Sequence, residues 1–301
     1  MGSGTFDPKA YATYTSSTAG KSRAAVFTSR SMHEKLDPKD VKIRESRDSK
    51  DNPRSTPIIV ALDVTGSMGQ HADYIARKGL GTLFNEILAS KPITDPHIMF
   101  MALGDAACDS SPLQVSQFEA DNRIVEQLTQ IFLEGGGGGN KTESYDFPWY
   151  FAANHTEHDS LIKRGKRGYL FTIGDEESPA GLTKEQIKRV IGDDVQGKLS
   201  PEELLAEVQR KYDVFHIIVA QGDYASRSPD TVRDSWNKLL GQHAIWLEDC
   251  TKLAETIVSA IEVVEGRDAE GAKKFGDSVY KAVKGLPRSR SPRLALKPAK
   301  S

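Results

Sequence analysis

The chain has 301 residues, 38% of them apolar and 27% charged, with a formal net charge of −2. That composition suits a folded protein with enough apolar residues for a sizeable core, and its near-neutral balance argues against bulk attraction to nucleic acid or an anionic membrane. No stretch approaches the roughly 20 apolar residues of a membrane-spanning helix. With no charged-then-apolar leader at the N-terminus, the two cysteines, Cys108 and Cys250, are expected as reduced thiols in a cytoplasmic setting.

Residues 1–55 are polar and rich in Ser, Thr, Lys and Arg. Composition favours a partly disordered or loosely docked arm, the alternative being that Arg44 and Arg47 fold back to pair with the acidic rim around the loops at Asp63, Thr142 and Asp175. From residue 56 to about 265, strand and helix signals alternate. The run Pro57-Ile58-Ile59-Val60-Ala61-Leu62 reads as a buried strand, and 70–90 as a helix with Ile75, Leu80, Leu83, Phe84 and Ile87 apolar. A second strand over 97–103 ends at Gly104-Asp105, and an acidic, polar loop carries the chain to a helix over 122–133.

Five glycines, Gly135 to Gly139, precede Asn140-Lys141-Thr142-Glu143-Ser144. A helix over 143–155 can hold Pro148 only in its first turn. The strand 168–174 ends at Asp175-Glu176, and helices at 183–191 and 201–211 frame a strand over 214–220. A helix over 230–240, a strand at 244–247 and a helix over 250–265 complete the region. Residues 266–301 read as a basic, proline-broken tail carrying Lys284, Arg288, Arg290, Arg293, Lys297 and Lys300, whose contact with nucleic acid would be weak at most.

Strands without polar alternation, separated by helices, predict an α/β fold with a mostly parallel central sheet and helices on both faces. In such sheets ligands bind at the carboxyl ends of the strands. Asp63, Asp105 and Asp175 each follow an apolar run at that end. In Asp63-Val64-Thr65-Gly66-Ser67, one carboxylate and two small hydroxyls share a short loop, a set of hard oxygen donors of the kind Mg²⁺ prefers. The plainer use of the same residues is a helix cap by Thr65 or Ser67.

This loop resembles the metal-ion-dependent adhesion site of von Willebrand factor A domains, D-x-[ST]-x-S in that family. Thr142 and Asp175 stand where a second and a third metal loop follow in order. The middle loop departs from the family pattern, because Asn140 and Lys141 separate Thr142 from the glycines, so Glu143 is an alternative ligand. The resemblance implies a Rossmann-like domain over 56–265 of the intracellular bacterial or phage type. Asp63, Thr65, Ser67, Thr142 and Asp175 would hold Mg²⁺, with Mn²⁺ or Ca²⁺ also compatible. Asp105, Glu143 and Glu176 would lie behind them or replace one of them. It further implies a protein partner that offers an Asp or Glu carboxylate to the ion, in some such proteins an AAA+ ATPase, and docking without turnover.

Other chemistries fit less well. The glycine run lacks the Gly-Lys-Ser/Thr of a phosphate-binding loop. Ser67 has no G-x-S-x-G context, and His155 and His158 read as surface histidines instead of a zinc pair. Two alternatives stay open: a structural or virion-type assembly protein whose metal loops only stabilise the fold, and a metal-dependent hydrolase using Asp63, Asp105, Asp175 and Glu176 around one ion.

Overall fold

Every residue of Thr56–Asp63 and of Gly168–Gly174 is buried. A strand covered on both faces has no side turned to water, and its sequence loses the alternation of a half-exposed strand. The computed structural model describes residues 4–18, 20–133 and 141–288. Its strands are β1 (Arg44–Ser46), β2 (Thr56–Asp63), β3 (Pro96–Leu103), β4 (Leu113–Val115), β5 (Thr156–His158), β6 (Gly168–Gly174), β7 (Tyr212–Val219) and β8 (Ala244–Leu247). Six form one sheet in the order β4-β3-β2-β6-β7-β8, and β1 pairs with β5 apart from it. Within the large sheet only the edge strand β4 is antiparallel. The protein is thus mixed α/β with a mostly parallel central sheet.

Successive side chains of β2 feed two separate cores. Ile58, Val60 and Leu62 pack with Leu83, Phe84, Ile257 and Ile261 on one face. Ile59 and Ala61 pack with Trp149, Phe151, Leu204 and Trp236 on the other. Helices therefore cover both faces, as the unalternating strands require. The predicted helix over 70–90 is interrupted: Gly69–Tyr74 and Leu80–Ser90 are α-helical, and Ile75–Gly79 between them is a π turn. Pro148 sits in the first turn of the helix Asp146–Asn154, where its missing N–H costs no bond.

The segment before β2 is more integrated than its composition suggests. Phe6 stacks on Phe84 with ring centroids 4.5 Å apart, and Pro8–Thr18 is a helix whose Tyr11 is buried in the first core. Arg47 pairs with Glu157 at 2.6 Å and Asp159 at 3.2 Å beside β5. Arg44 donates Nη2–H to the Lys35 carbonyl at 3.3 Å. Neither arginine meets the acids at the strand ends, contrary to the fold-back expectation, because β1 is fixed by its pairing with β5.

The packed region also runs on past residue 265, the expected end of the domain. Ala269–Phe275 forms a 3₁₀ segment and Asp277–Val283 a helix. Val279, Val283 and Leu286 are buried in the first core, a one-face spacing hidden in a lysine-rich background. The tail beyond Arg288 lies outside the described residues, as does the glycine run. His155 and His158 are buried, not on the surface. His155 meets the Val41 carbonyl at 2.7 Å, and His158 Nδ1 caps the helix Asp159–Arg164. Among the described residues, no helix is long and apolar enough to cross a membrane.

Candidate metal centre

The winding of the sheet creates the site. β2 has β3 on one side and β6 on the other, so the chain reverses its direction of travel across the sheet at β2. The loops leaving β2 and its neighbours separate there and open a crevice at the carboxyl ends. Asp63 is the last residue of β2, Asp105 follows β3 by two residues, and Asp175 follows β6 directly.

In the first loop, Asp63 Oδ1 accepts the Thr65 N–H at 2.9 Å and the Thr65 hydroxyl at 2.6 Å. The Thr65 and Ser67 hydroxyl oxygens lie 3.2 Å apart, and Ser67 donates to Asp175 Oδ1 at 2.8 Å. Asp63, Thr65, Ser67 and Asp175 therefore form one continuous polar run across two loops. Asp63 and Asp175 are fully buried, and Thr65 nearly so.

The second loop reaches the same place. The Lys141 carbonyl accepts the Glu177 N–H at 3.1 Å, and Thr142 forms a bridge with Glu177. Ser144 closes the third side, with its N–H on the Gly104 carbonyl and its hydroxyl accepting the Ala106 N–H at 2.9 Å. Thr142 is half-buried, whereas Glu143 is buried and carries a carboxylate oxygen, Oε2, with no hydrogen-bond partner. Glu176 Oε2 is buried and unpartnered as well. Asp105 turns back on its own loop, accepting from Ala107 N–H at 2.8 Å and from the Cys108 thiol at 3.2 Å.

The electrostatics follow from this crowding. Burial, then the Asp175 charge, pushes the Asp63 carboxyl up from its ordinary range. Burial, then Asp63, Glu176 and Asp105, pushes Glu143 up. Glu176 is pushed up to about 8 by burial, then by Asp63 and Asp175. Among the described residues, no Lys, Arg or His pairs with Asp63, Glu143, Asp175 or Glu176. Four buried acids thus share a crevice without a cation from the protein, and buried acids of one sign without a counter-charge raise the free energy of the fold.

The donors suit a small hard cation: two hydroxyls, the Asp63 and Asp175 carboxylates, and two glutamate oxygens without partners. Among the described residues, no three His, Cys, Asp or Glu side chains are gathered to cage an ion by themselves. The oxygens closest to Asp63 belong to hydroxyls, and a centre built on them does not need such a cage.

Several supporting residues carry no sequence signal. The Tyr145 hydroxyl donates to Asp63 Oδ2 at 2.8 Å. Tyr224 N–H donates to Asp175 Oδ2 at 2.8 Å, Asp223 N–H to the Ser67 carbonyl at 3.1 Å, and Trp236 Nε1–H to the Glu176 carbonyl at 2.9 Å. Gly174 and Gly222 make these approaches feasible. A Cβ at Gly174 would overlap the Tyr145 hydroxyl, and one at Gly222 would overlap the Asp175 side chain.

No protein-family model matches the chain, and no curated protein matches it. Among solved structures it is similar in fold to the pilus adhesin SpaC of Lactobacillus rhamnosus GG, with a TM-score of 0.42 and 9% identity over 79% of this chain and 32% of that one. It is likewise similar to proximal thread matrix protein 1 of the mussel byssus, with a TM-score of 0.41 and 10% identity over 70% of this chain and 46% of that one. The chain spans a third to a half of the length of these proteins. A likeness this loose leaves function to be argued from the residues themselves.

Proposed function

We propose that the chain is a Rossmann-like von Willebrand factor A domain that binds a Mg²⁺-type ion and docks an acidic side chain of a protein partner. The observation that carries this reading is the polar run Asp63–Thr65–Ser67–Asp175 at the reversal point of the sheet, flanked by the unpartnered oxygens of Glu143 and Glu176. In this reading Thr65 and Ser67 hold the ion through their hydroxyls. Asp63 and Asp175 hold it directly or through water, and Thr142 approaches from the second loop. Glu143 and Glu176 supply additional negative charge, and Asp105 shapes the loop behind them. Mn²⁺ or Ca²⁺ suits the same donors.

When bound, the ion supplies an electrophilic point that draws a carboxylate oxygen from outside. Ser67 is the most accessible of the four residues in the run, so the approach is over the first loop. The proposed activity is docking without turnover in a cytoplasmic setting, and an AAA+ ATPase is one class of partner the resemblance implies.

The test is thermal unfolding of the wild type and Ser67→Ala in EDTA, then in millimolar Mg²⁺, Mn²⁺ or Ca²⁺. An ion at about 100 times its dissociation constant adds about 2.7 kcal/mol, a rise of about 5 °C for a domain of this size. The rise should be absent in Ser67→Ala. Equal melting temperatures with and without metal in the wild type would rule out the metal centre.

A further inference from the structure

Carbonyl and carboxylate oxygens accept hydrogen bonds and offer none, and His155 has such oxygens against both of its ring nitrogens. Nδ1 lies 2.7 Å from the Val41 carbonyl and 3.1 Å from the Lys42 carbonyl, and Nε2 lies 2.8 Å from Asp193 Oδ2. Tyr150 donates its hydroxyl to the same Oδ2 at 2.7 Å. Burial, then Asp193, pushes the Tyr150 pKa up, so that hydroxyl keeps its proton. The His155 ring is buried and stacked on Phe151 with centroids 5.2 Å apart, which leaves it little access to water.

These contacts set a proton count. One proton sits on Nδ1, and a second sits between Nε2 and Oδ2. With Nδ1–H alone, the Nε2 lone pair faces a carboxylate oxygen. With Nε2–H alone, the Nδ1 lone pair faces two carbonyl oxygens. Either state opposes electron-rich atoms in a place where water screens them poorly.

The acceptors come from two parts of the chain. Val41 and Lys42 lie in the segment that leads into β1, and Asp193 follows the helix Lys184–Val190. His155 also grips that segment through its backbone, accepting the Arg44 N–H at 2.8 Å, and the Asp40 N–H donates to the Ile191 carbonyl at 3.0 Å. The other charges around the ring are engaged or exposed. Asp194 pairs with Lys188 at 2.9 Å and Glu157 with Arg47 at 2.6 Å. Lys39, Asp40 and Lys42 are exposed, Arg44 bonds the Lys35 carbonyl, and Glu207 acts on Tyr150. Among the described residues, Asp193 has no ion-pair partner but His155.

We infer that His155 and Asp193 form a proton-operated latch on residues 39–46, closed while the pair shares a proton and released when that proton is lost. Where a free imidazole is neutral, the closed form binds one proton more than the released form, so the segment opens as the pH rises. The latch shares no residue with the metal centre, so each stands or falls independently of the other.

Trypsin cuts after Lys and Arg, and Lys39, Lys42 and Arg44 all lie in the segment. Cleavage of the full chain there is followed by mass at about pH 6.5 and about pH 8.5, each rate divided by that on a free peptide of residues 36–47 at the same pH. In the wild type the corrected rate at Lys42 should rise about tenfold across this interval. Asp193→Asn puts an amide beside Nε2 that donates to a neutral ring, so its rate should stay at the slow level at both pH values. His155→Gln has no proton to lose and should be cut at the fast rate at both. Asp146, raised to about 7 by burial, and the acids of the metal centre titrate in the same range, but all three proteins share them. A wild-type rate equal at the two pH values overturns the latch, whether or not either variant folds. So does a tenfold rise that persists in Asp193→Asn or in His155→Gln, since the opening would then follow those other acids.

Discussion

The Tyr145 hydroxyl donates to Asp63 Oδ2 at 2.8 Å, tying the start of the helix Asp146–Asn154 to the last residue of the central strand. Asp63 Oδ1 is already occupied by Thr65, so Tyr145 fixes the carboxylate plane from the far side. Tyr145→Phe removes that hydrogen bond and leaves a buried oxygen unmet. It should cost about 1–3 kcal/mol in urea unfolding with EDTA. By loosening the orientation of Asp63, it should also weaken metal binding about 10-fold, read from the Mg²⁺ dependence of the melting temperature. An unchanged metal midpoint would remove Tyr145 from the site and leave it a packing residue.

Burial, then Asp63, Glu176 and Asp105, pushes the Glu143 carboxyl up to about 10, and its Oε2 has no partner. Glu143→Gln keeps the shape and removes a carboxyl that the ion-free fold holds protonated at pH 8 while the unfolded chain ionises it. In EDTA at pH 8 the variant should be more stable than the wild type by about 1 kcal/mol, and with saturating Mg²⁺ this advantage should shrink or reverse. Chemical denaturation under the two conditions measures both. A variant destabilised in EDTA would show that Glu143 contributes a net favourable contact in the ion-free protein.

His216 lies flat on Trp236 with centroids 3.5 Å apart, Nδ1 at 2.9 Å from the Thr172 hydroxyl and Nε2 without a partner. Complete burial lowers its pKa well below 6.5, so the folded ring stays neutral while the unfolded one protonates. Below pH 6.5 the unfolded state then binds more protons, and stability falls as the pH drops. His158, lowered to about 4 by burial, adds to the same loss between pH 6.5 and 4. Each ring contributes a slope approaching about 1.4 kcal/mol per pH unit. His216→Phe should remove one such slope in urea unfolding between pH 6.5 and 5. Parallel pH curves for variant and wild type would refute the assignment.

Phe6 joins the N-terminal segment to the domain through its stack on Phe84. Phe6→Ala should cost about 2–3 kcal/mol in urea unfolding, a partial core truncation with loss of an aromatic pair. It should leave the metal response unchanged, because the ring lies on the sheet face formed by Val60 and Leu62, away from the metal loops. A cost under about 0.5 kcal/mol would mean that the segment is only loosely laid on the surface.

The parts legible in the sequence were those written in runs. β2, β3, β6 and β7 announced themselves because burial on both faces leaves long apolar stretches, and the edge strand β8 was read as a short strand at 244–247. The acids at the ends of β2, β3 and β6 followed from the rule that parallel sheets bind at their carboxyl ends. Short elements were not legible. Three-residue strands such as β1, β4 and β5 carry too few positions for a period, and Phe6 and Tyr11 are isolated among polar neighbours. Tyr145, Tyr224 and Trp236 were missed for another reason. Their contribution depends on which loops the fold brings together, and nothing local to a tyrosine or tryptophan marks the carboxylate or carbonyl it will meet.

The segment after β7 contributes none of the expected ligands, yet its helices bond to three of the residues that matter. Asp223 holds the Ser67 carbonyl and Tyr224 holds Asp175, while Trp236 in the following helix holds the Glu176 carbonyl. These three bonds act as tethers between the crevice and the helices Asp223–Arg227 and Pro229–Leu240, whose other sides face water. Tilting either helix draws Ser67 or the 175–176 pair along with it. The oxygens of the crevice are therefore held in place from the outer layer of the molecule as well as from the strand ends.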